Sequence, residues 1–176
     1  MTVVVVEGES DRIALEVLGA RMRRRLPRIA IVNGAGGARR AVAELGGERI
    51  FGLVDANERA QFESVIEHVF VCDPDLEGEL VRALGVDAVE ALIAAQGELE
   101  SFRRLQNQPA QRGKPKGAQL ARFFGGRSGN KRRYAGLLAA AVPLDRVPEP
   151  LAALIRAAAD GGEPQDSEGT SGSSSP

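Results

Sequence analysis

The sequence predicts an α/β fold in which a parallel sheet of about four strands carries helices on both faces. Short apolar runs alternate with helical patterns through the first half of the chain, beginning with TVVVV at residues 2–6. This alternation is typical of parallel strands joined by right-handed helical crossovers. Such strands are buried on both faces and therefore read as continuous apolar runs. After Gly85 the patterns are all helical, which predicts a helical extension on the C-terminal side of the sheet.

The strands and helices follow one another in pairs. After the first strand, the predicted strands are RIAIVN at 28–33, RIFGLVD at 49–55 and HVFVCD at 68–73. Ser10 is predicted to cap the first helix and Asp75 the fourth, because both side chains can accept a hydrogen bond from a free amide of the first turn. The four predicted helices of the first half lie within 10–26, 34–47, 56–67 and 75–84. Prolines divide the C-terminal part into about four helical segments at 86–106, 116–126, 130–142 and 149–160.

We predict three regions along the chain. A domain at 1–142 contains the sheet and includes a basic helical region at about 86–142. A terminal helix at 143–160 follows it. The last region, 161–176, reads GGEPQDSEGTSGSSSP and has no hydrophobic residue, a composition typical of a disordered tail.

Composition limits the class of protein. The chain has 176 residues, of which 43% are hydrophobic, as expected of one globular domain. A single cysteine, Cys72, excludes both a disulfide framework and a thiolate metal cluster. No apolar stretch approaches the roughly 20 residues that a membrane span requires, and MTVVVV resembles no export leader. We therefore expect a cytoplasmic protein without membrane contact.

A net charge of -1 conceals a strong asymmetry. Residues 1–100 hold most of the acidic side chains, whereas residues 101–144, called the basic block here, hold no acid. Its basic residues are Arg103, Arg104, Arg112, Lys114, Lys116, Arg122, Arg127, Lys131, Arg132 and Arg133. Positive potential of this kind favours a polyanionic partner such as nucleic acid. A solvated helical face is the alternative that remains open.

Acidic side chains stand at the carboxyl ends of three predicted strands. Glu7 follows the first strand, Asp55 ends the third and Asp73 ends the fourth. The further acids near this edge are Glu9, Asp11, Asp75, Glu77 and Glu79. Parallel strands present their carboxyl ends at one edge of the sheet, so these carboxylates should converge. Clustered carboxylates repel one another unless a cation lies among them, and hard oxygen ligands suit Mg²⁺ or Mn²⁺.

The same acids have a structural interpretation that also stays open. Aspartate and glutamate are favoured at helix N-termini, where they cap free amides and complement the helix dipole. Asp11, Asp75 and Glu77 fit that role equally well. Glu7 does not, because a glutamate between a buried valine strand and the flexible Gly8 gains nothing there from strand formation.

The order of these motifs resembles the Toprim domain, a Rossmann-like fold, and most closely the version in overcoming-lysogenization-defect (OLD) family nucleases. The motifs are VEGESD, a Gly-rich second crossover, GLVDANE and DPDLEGELVRALG. The first family motif matches Val6, Glu7, Gly8 and Asp11. The resemblance covers about residues 2–142. It implies metal-dependent phosphoryl transfer or hydrolysis on nucleic acid, and for OLD-type members cleavage of DNA with two metals.

The resemblance also implies roles for individual residues. Glu7 and Asp11 would bind one Mg²⁺ or Mn²⁺, and Asp55 would bind the other or bridge both. Glu77 or Glu79 would complete the coordination. Lys131, in SGNKRRYAGLLAAA, matches a late lysine that stabilises charge on the phosphate, with an ordinary surface lysine as the open alternative. Glu7 and Lys131 are therefore the expected catalytic residues.

Two departures from the family pattern affect these expectations. Asn57 stands where the Toprim pattern has a second aspartate, and a neutral amide neutralises no cation charge. OLD proteins also carry an ATPase domain, whereas this sequence contains no G-x-x-x-x-G-K-[ST] motif. We therefore expect that the domain either works alone or meets an ATPase on another chain, and that double-strand cleavage needs a homodimer or two encounters. The alternatives are a nucleic-acid-binding module without turnover and, less favoured, a topoisomerase-like role for the single tyrosine, Tyr134.

Overall fold

The sheet of the computed structural model, which describes residues 1–32, 34–126 and 129–159, is parallel and has four strands. The strands are β1 (Thr2–Val6), β2 (Arg28–Ile31), β3 (Arg49–Asp55) and β4 (His68–Cys72). Their order is β2-β1-β3-β4. The strand order therefore reverses at β1, and the predicted α/β class is confirmed. The predicted tail lies outside the described residues.

Helices connect and flank the strands. Those of the first half are α1 (Glu9–Arg21), α2 (Gly34–Glu44), α3 (Arg59–Glu63) and α4 (Leu76–Leu84). Those of the second half are α5 (Val86–Ala95), α6 (Leu99–Gln106), α7 (Lys116–Gly125), α8 (Asn130–Ala141) and α9 (Glu149–Ala159).

Three sequence expectations about the helices need correction. The cap of α1 is Gly8 instead of Ser10, because the Asp11 carboxylate accepts the Gly8 amide at 2.9 Å and leaves Ser10 buried inside the first turn. The predicted third helix is reduced to α3, preceded by a 3-10 turn. The segment 86–106 forms two helices, since Gly97 adopts a φ of 72°, which ends α5. The predicted cap at Asp75 is confirmed, with the Gly78 amide 2.7 Å from its carboxylate.

Two apolar cores lie on opposite faces of the sheet. Val4 and Val6 point into the larger core with α1, α4, α8 and α9, whereas Val3 and Val5 point into the smaller core with α2 and α3. The alternation explains why all four valines are needed, since each face buries two of them. Cys72 is buried in the larger core.

Helix α9 covers part of the sheet. It packs against β4, β3 and β1, and Leu151, Leu154 and Ile155 are fully buried. The division of the chain near residue 142 stays a prediction, but α9 contributes directly to the larger core. No helix in the described part of the chain has the length and apolar character that crossing a membrane demands.

Helices α1 and α8 form the most extensive helix pair and run in the same direction. Their C-terminal ends are joined by Arg21, whose guanidinium donates to the carbonyls of Ala139 and Val142, both at 2.7 Å. Cationic side chains are favoured at this end of a helix, where carbonyl groups lack intrahelical partners. The N-terminal ends of both helices consequently lie at the carboxyl edge of the sheet.

The packing of α8 can be tested by shortening one core side chain. Leu138 is fully buried, so Leu138→Ala should lower the free energy of unfolding by about 2–5 kcal/mol in a urea titration. Leu144 is 50% exposed, and Leu144→Ala, the matched control, should change it by no more than about 0.5 kcal/mol. Similar losses for the two variants would contradict this packing.

Candidate active site

The carboxyl ends of β1 and β3 meet at the point where the strand order reverses. Val6 pairs with Leu53, so Glu7, one residue past Val6, and Asp55, two residues past Leu53, lie at the same edge. The Asp55 backbone amide donates to Oε2 of Glu7 at 3.0 Å. Ligands of open parallel sheets bind at such reversal points. The sequence expectation that these two acids converge agrees with this geometry.

Five acidic residues near this edge, called the carboxylate cluster here, interact electrostatically: Glu7, Asp11, Asp55, Asp75 and Glu77. Burial raises the pKa of Asp55 to about 7, and the negative charges of Glu7 and Asp11 add to the increase. Burial likewise raises the pKa of Asp11 to about 6, against the lowering effect of the Gly8 amide. The cluster therefore holds more negative charge than its surroundings stabilise, which is common at functional sites.

Glu77 is the most deeply buried acid of the cluster. Glu77 is 2% exposed, and neither of its carboxylate oxygens accepts a hydrogen bond from the part of the chain that the structure describes. Burial raises the pKa of Glu77 to about 7. The ammonium of Lys131, which lies 3.4 Å from Oε2, acts in the opposite direction and lowers this pKa. A buried carboxylate without hydrogen bonds is costly, so the nearby cation is its main stabilisation.

Lys131 lies in the first turn of α8, beside the cluster. Partial burial disfavours its charge, but the carboxylates of Glu77, Asp55 and Asp11 outweigh that effect and raise its pKa. Its ammonium therefore stays protonated throughout the physiological range. The turn before it is made by Gly129 with a φ of 82°, a conformation that favours glycine.

Helices α1, α4 and α8 begin next to the carboxylate cluster, since their first turns carry Asp11, Glu77 and Lys131. A helix N-terminus carries partial positive charge, which partly offsets the negative charge of the cluster. Two of the acids also serve these helices directly, since Asp11 accepts the Gly8 amide and Asp75 accepts the Gly78 amide. Asp11 and Asp75 each accept a helix amide, as the structural interpretation expects, and each carboxylate keeps a second oxygen.

Glu79 differs from Glu77 in its surroundings. Its carboxylate accepts the Asp73 amide at 3.1 Å and the Arg82 guanidinium at 2.9 Å. Glu79 is therefore engaged locally at the end of β4, whereas Glu77 faces Lys131. Asn57, in the 3-10 turn after β3, is exposed.

The described acids are not arranged as a finished metal site. Within residues 1–32, 34–126 and 129–159, no three His, Cys, Asp or Glu side chains are grouped so that they could hold an ion together. Their oxygens accept nearby amides instead, as for Glu7 with Asp55 and Asp11 with Gly8. Joint coordination of a cation would need these side chains to rotate towards one another.

Part of the basic block is neutralised by acids that lie outside it. Glu90 binds Arg103 at 2.5 Å and Lys116 at 3.3 Å. Glu98 accepts from Arg133 and from the hydroxyl of Tyr134. The glutamate and arginine partners lie 13 and 35 residues apart in the chain, so no local sequence pattern indicates them. Neither acid was among the predicted functional residues.

The other predicted nucleic-acid contacts are distributed over exposed surfaces. Arg104, Lys114, Arg122 and Arg132 are exposed and make no hydrogen bond or ion pair to another described residue. Arg112 is exposed and donates to the Asn107 carbonyl at 3.1 Å. Arg104 and Arg122 line the same cleft between α6 and α7. Arg127 lies outside the described residues.

The aromatic residues of the basic block are part of the core. Phe102, Phe123, Phe124 and Tyr134 are at most 4% exposed and pack ring against ring, with centroids 4.9–6.1 Å apart. They are therefore not presented on the surface for stacking on bases.

Solved structures with the same architecture are C-terminal regions of OLD proteins. The one from Xanthomonas campestris pv. campestris has a TM-score of 0.65 and 19% identity, covering 91% of this chain and 95% of that chain. The one from Burkholderia pseudomallei has a TM-score of 0.67 and 16% identity, covering 91% and 97%. This chain has the fold of an OLD C-terminal region. The predicted resemblance is thereby confirmed for the fold. No protein-family model and no curated protein matches the chain.

The ionised form of Asp55 is disfavoured in the folded protein, so the free energy of unfolding should depend on pH. Its pKa in the folded protein, about 7, lies above the ordinary value of 3.8. Between these values the folded protein binds a proton that the unfolded chain does not, so stability falls as the pH rises towards 7. Asp55→Asn should therefore raise the melting temperature at pH 8, and much less at pH 5, in thermal unfolding with EDTA.

The matched control is Asp73→Asn, which changes an exposed carboxylate at the end of the neighbouring strand. It should leave the pH dependence of the melting temperature as in the original protein. An Asp55→Asn variant that is equally stabilised at both pH values would contradict the raised pKa.

Proposed function

We propose that this chain is a metal-dependent nuclease that hydrolyses phosphodiester bonds of nucleic acid, with DNA as the expected substrate. The observation that carries the proposal is the meeting of the carboxylate cluster with Lys131 at the reversal point of the sheet. The likeness in fold to OLD C-terminal regions supports the same conclusion. No membrane association is proposed, and the cytoplasm is the expected location.

The cluster suits a hard divalent cation. The unpartnered oxygens of buried Glu77 and the raised pKa values of Asp11 and Asp55 indicate a site that gains from added positive charge. Glu7, Asp11, Asp55 and Glu77 would hold Mg²⁺ or Mn²⁺, and two ions are proposed. Glu79 is a less favourable ligand because its oxygens already bind Arg82 and the Asp73 amide. A bound ion would supply charge neutralisation and activation of water.

Lys131 has a separate role from the acids. It stays protonated beside the cluster, half exposed, and can therefore approach a phosphate from the solvent side. Its charge would stabilise the negative charge that develops on the phosphate oxygens during hydrolysis. Glu7 accepts the Asp55 amide at the end of β3, and it would have to rotate away from that amide to bind a cation together with Asp11 and Asp55.

Exposed cationic side chains would bind phosphates of the nucleic acid backbone that lie at some distance from the cleaved bond. Arg104, Lys114, Arg122 and Arg132 have no ion-pair partner among the described residues. They fit this role better than Arg103, Lys116 and Arg133, whose charges are already balanced by glutamates. Any ATP-driven step would come from outside these 176 residues, through an ATPase partner. A homodimer would provide two sites for double-strand cleavage.

A second candidate function is a nucleic-acid-binding module without turnover. Asn57, in place of a carboxylate, favours it, as does the absence of three described His, Cys, Asp or Glu side chains grouped for an ion. This module would bind DNA with an affinity that falls as the salt concentration rises, and it would not cleave DNA in the presence of any metal ion.

Cleavage of supercoiled plasmid distinguishes the two candidates. The original protein should nick the plasmid with Mn²⁺ or Mg²⁺ and not with EDTA, and Glu7→Ala should abolish nicking because a ligand of the cation is lost. Lys131→Ala should slow nicking about 10²- to 10³-fold, the usual effect of removing one charge-stabilising group.

Glu63→Ala is the control for Glu7→Ala, since Glu63 is an exposed carboxylate of α3 that pairs only with Arg59. It should nick at the original rate. Nicking that survives Glu7→Ala would refute the assignment. DNA binding without nicking under every metal condition would favour the binding module.

The difference between paired and unpaired cations predicts different salt dependences. Arg122→Ala should reduce the slope of log affinity against log salt by about 0.9, the value for one lost phosphate contact. Arg103→Ala should change the slope much less, because Glu90 already balances its charge. Fluorescence anisotropy with a labelled duplex over a salt series measures both. Equal changes in slope would contradict the proposed surface.

A further inference from the structure

An apolar cleft adjoins the carboxylate cluster. It lies between α4 and α7 and has a volume of about 690 Å³, within the range of about 300–1,000 Å³ for small-molecule sites. Asp75 and Glu77 belong to the cluster and also line this cleft. The two sites therefore share one wall, and a strand bound at the cluster would pass the mouth of the cleft.

The walls of the cleft are apolar and open. Val81 and Val86 contribute from the side of α4, and Ala118 and Ala121 from α7, with the ring of Phe124 behind them. Gly117 faces open space, because a Cβ added there would meet no other atom within 4 Å. The cleft can therefore admit a flat group between its two walls.

One buried polar group faces this apolar space. Glu77 is 2% exposed, and its two oxygens accept no hydrogen bond from the described residues. Lys131 lies 3.4 Å from Oε2. A carboxylate has lone pairs for several donors, but Oε1 is itself buried, so the Glu77 side chain must turn towards the cleft to accept from a ligand there.

We propose that this cleft binds a nucleobase turned out of its stack, next to the phosphate at the carboxylate cluster. The inference rests on the proposed function, since it requires a nucleic acid strand at the cluster. A base has two apolar faces, which fit the walls, and an edge with N–H groups, which Glu77 accepts. The C-terminal segment 161–176 does not fit as an occupant because it has no hydrophobic residue.

The test compares two single-stranded oligonucleotides of equal length, one that carries its bases and one that is abasic. Binding of a labelled base-bearing oligonucleotide and of an abasic one of equal length is measured by anisotropy in EDTA, so no cleavage is needed. The original protein should bind the base-bearing strand at least about fivefold more tightly, the lower end of one base contact. Gly117→Leu, which fills the cleft, should remove this preference.

Gly125→Leu is the matched control. Gly125 lies at the other end of α7, outside the cleft, and a Cβ added there also meets nothing within 4 Å. This variant should keep the preference. Thermal unfolding checks that both variants fold, and Ala121→Leu on the same wall replaces Gly117→Leu if that variant does not.

The outcomes separate this inference from the proposed hydrolysis. Equal affinity of the original protein for both strands, no binding of either, or a preference that survives Gly117→Leu overturns the cleft assignment. Plasmid nicking without a base preference would leave hydrolysis standing and the cleft refuted. A preference that only cleft-filling variants abolish, in a protein that does not nick, would support the cleft and refute hydrolysis.

Discussion

The arrangement of the site depends on how one buried carboxylate is stabilised. Glu77 lies in the first turn of α4, beside the last strand of the sheet, and its carboxylate accepts no hydrogen bond from the described residues to offset its burial. Lys131, on the first turn of α8, is the nearby cation. Helix α8 must therefore keep its position relative to α4 and the sheet, because moving α8 away would leave the buried charge of Glu77 without a partner.

The fold maintains that relation by packing instead of by more ion pairs. Leu138 and its neighbours on α8 are buried against α1 in the larger core, and Glu98 binds two consecutive residues of α8, Arg133 and Tyr134. The cluster itself works against stability, since the pKa values of Asp11, Asp55 and Glu77 are all raised. Apolar burial on both faces of the sheet offsets this local cost.

The sequence predicted the sheet well because its strands are buried on both faces and read as unbroken apolar runs. The Asp75 cap was equally readable, since capping is a local interaction. The cap of α1 was predicted wrongly because the N3 side chain of Asp11 satisfies the Gly8 amide, which leaves Ser10 without a capping role. The neutralisation of Arg103 and Arg133 could not be read from the sequence, because the partners Glu90 and Glu98 lie 13 and 35 residues away.

The contact between Arg21 and the last carbonyls of α8 fixes one end of a pair of parallel helices. The other end carries opposite charges, with Asp11 on α1 and Lys131 on α8. Asp11 and Arg21 are separated by about 15 Å along α1 at the usual helical rise. Helices α1 and α8 are thus joined at their C-terminal ends by Arg21. If the two helices moved apart, the gap between Asp11 and Lys131 at the opposite ends would widen most. Arg21, on the far side of the domain, therefore helps to set the width of that gap, together with the packing of α1 against α8.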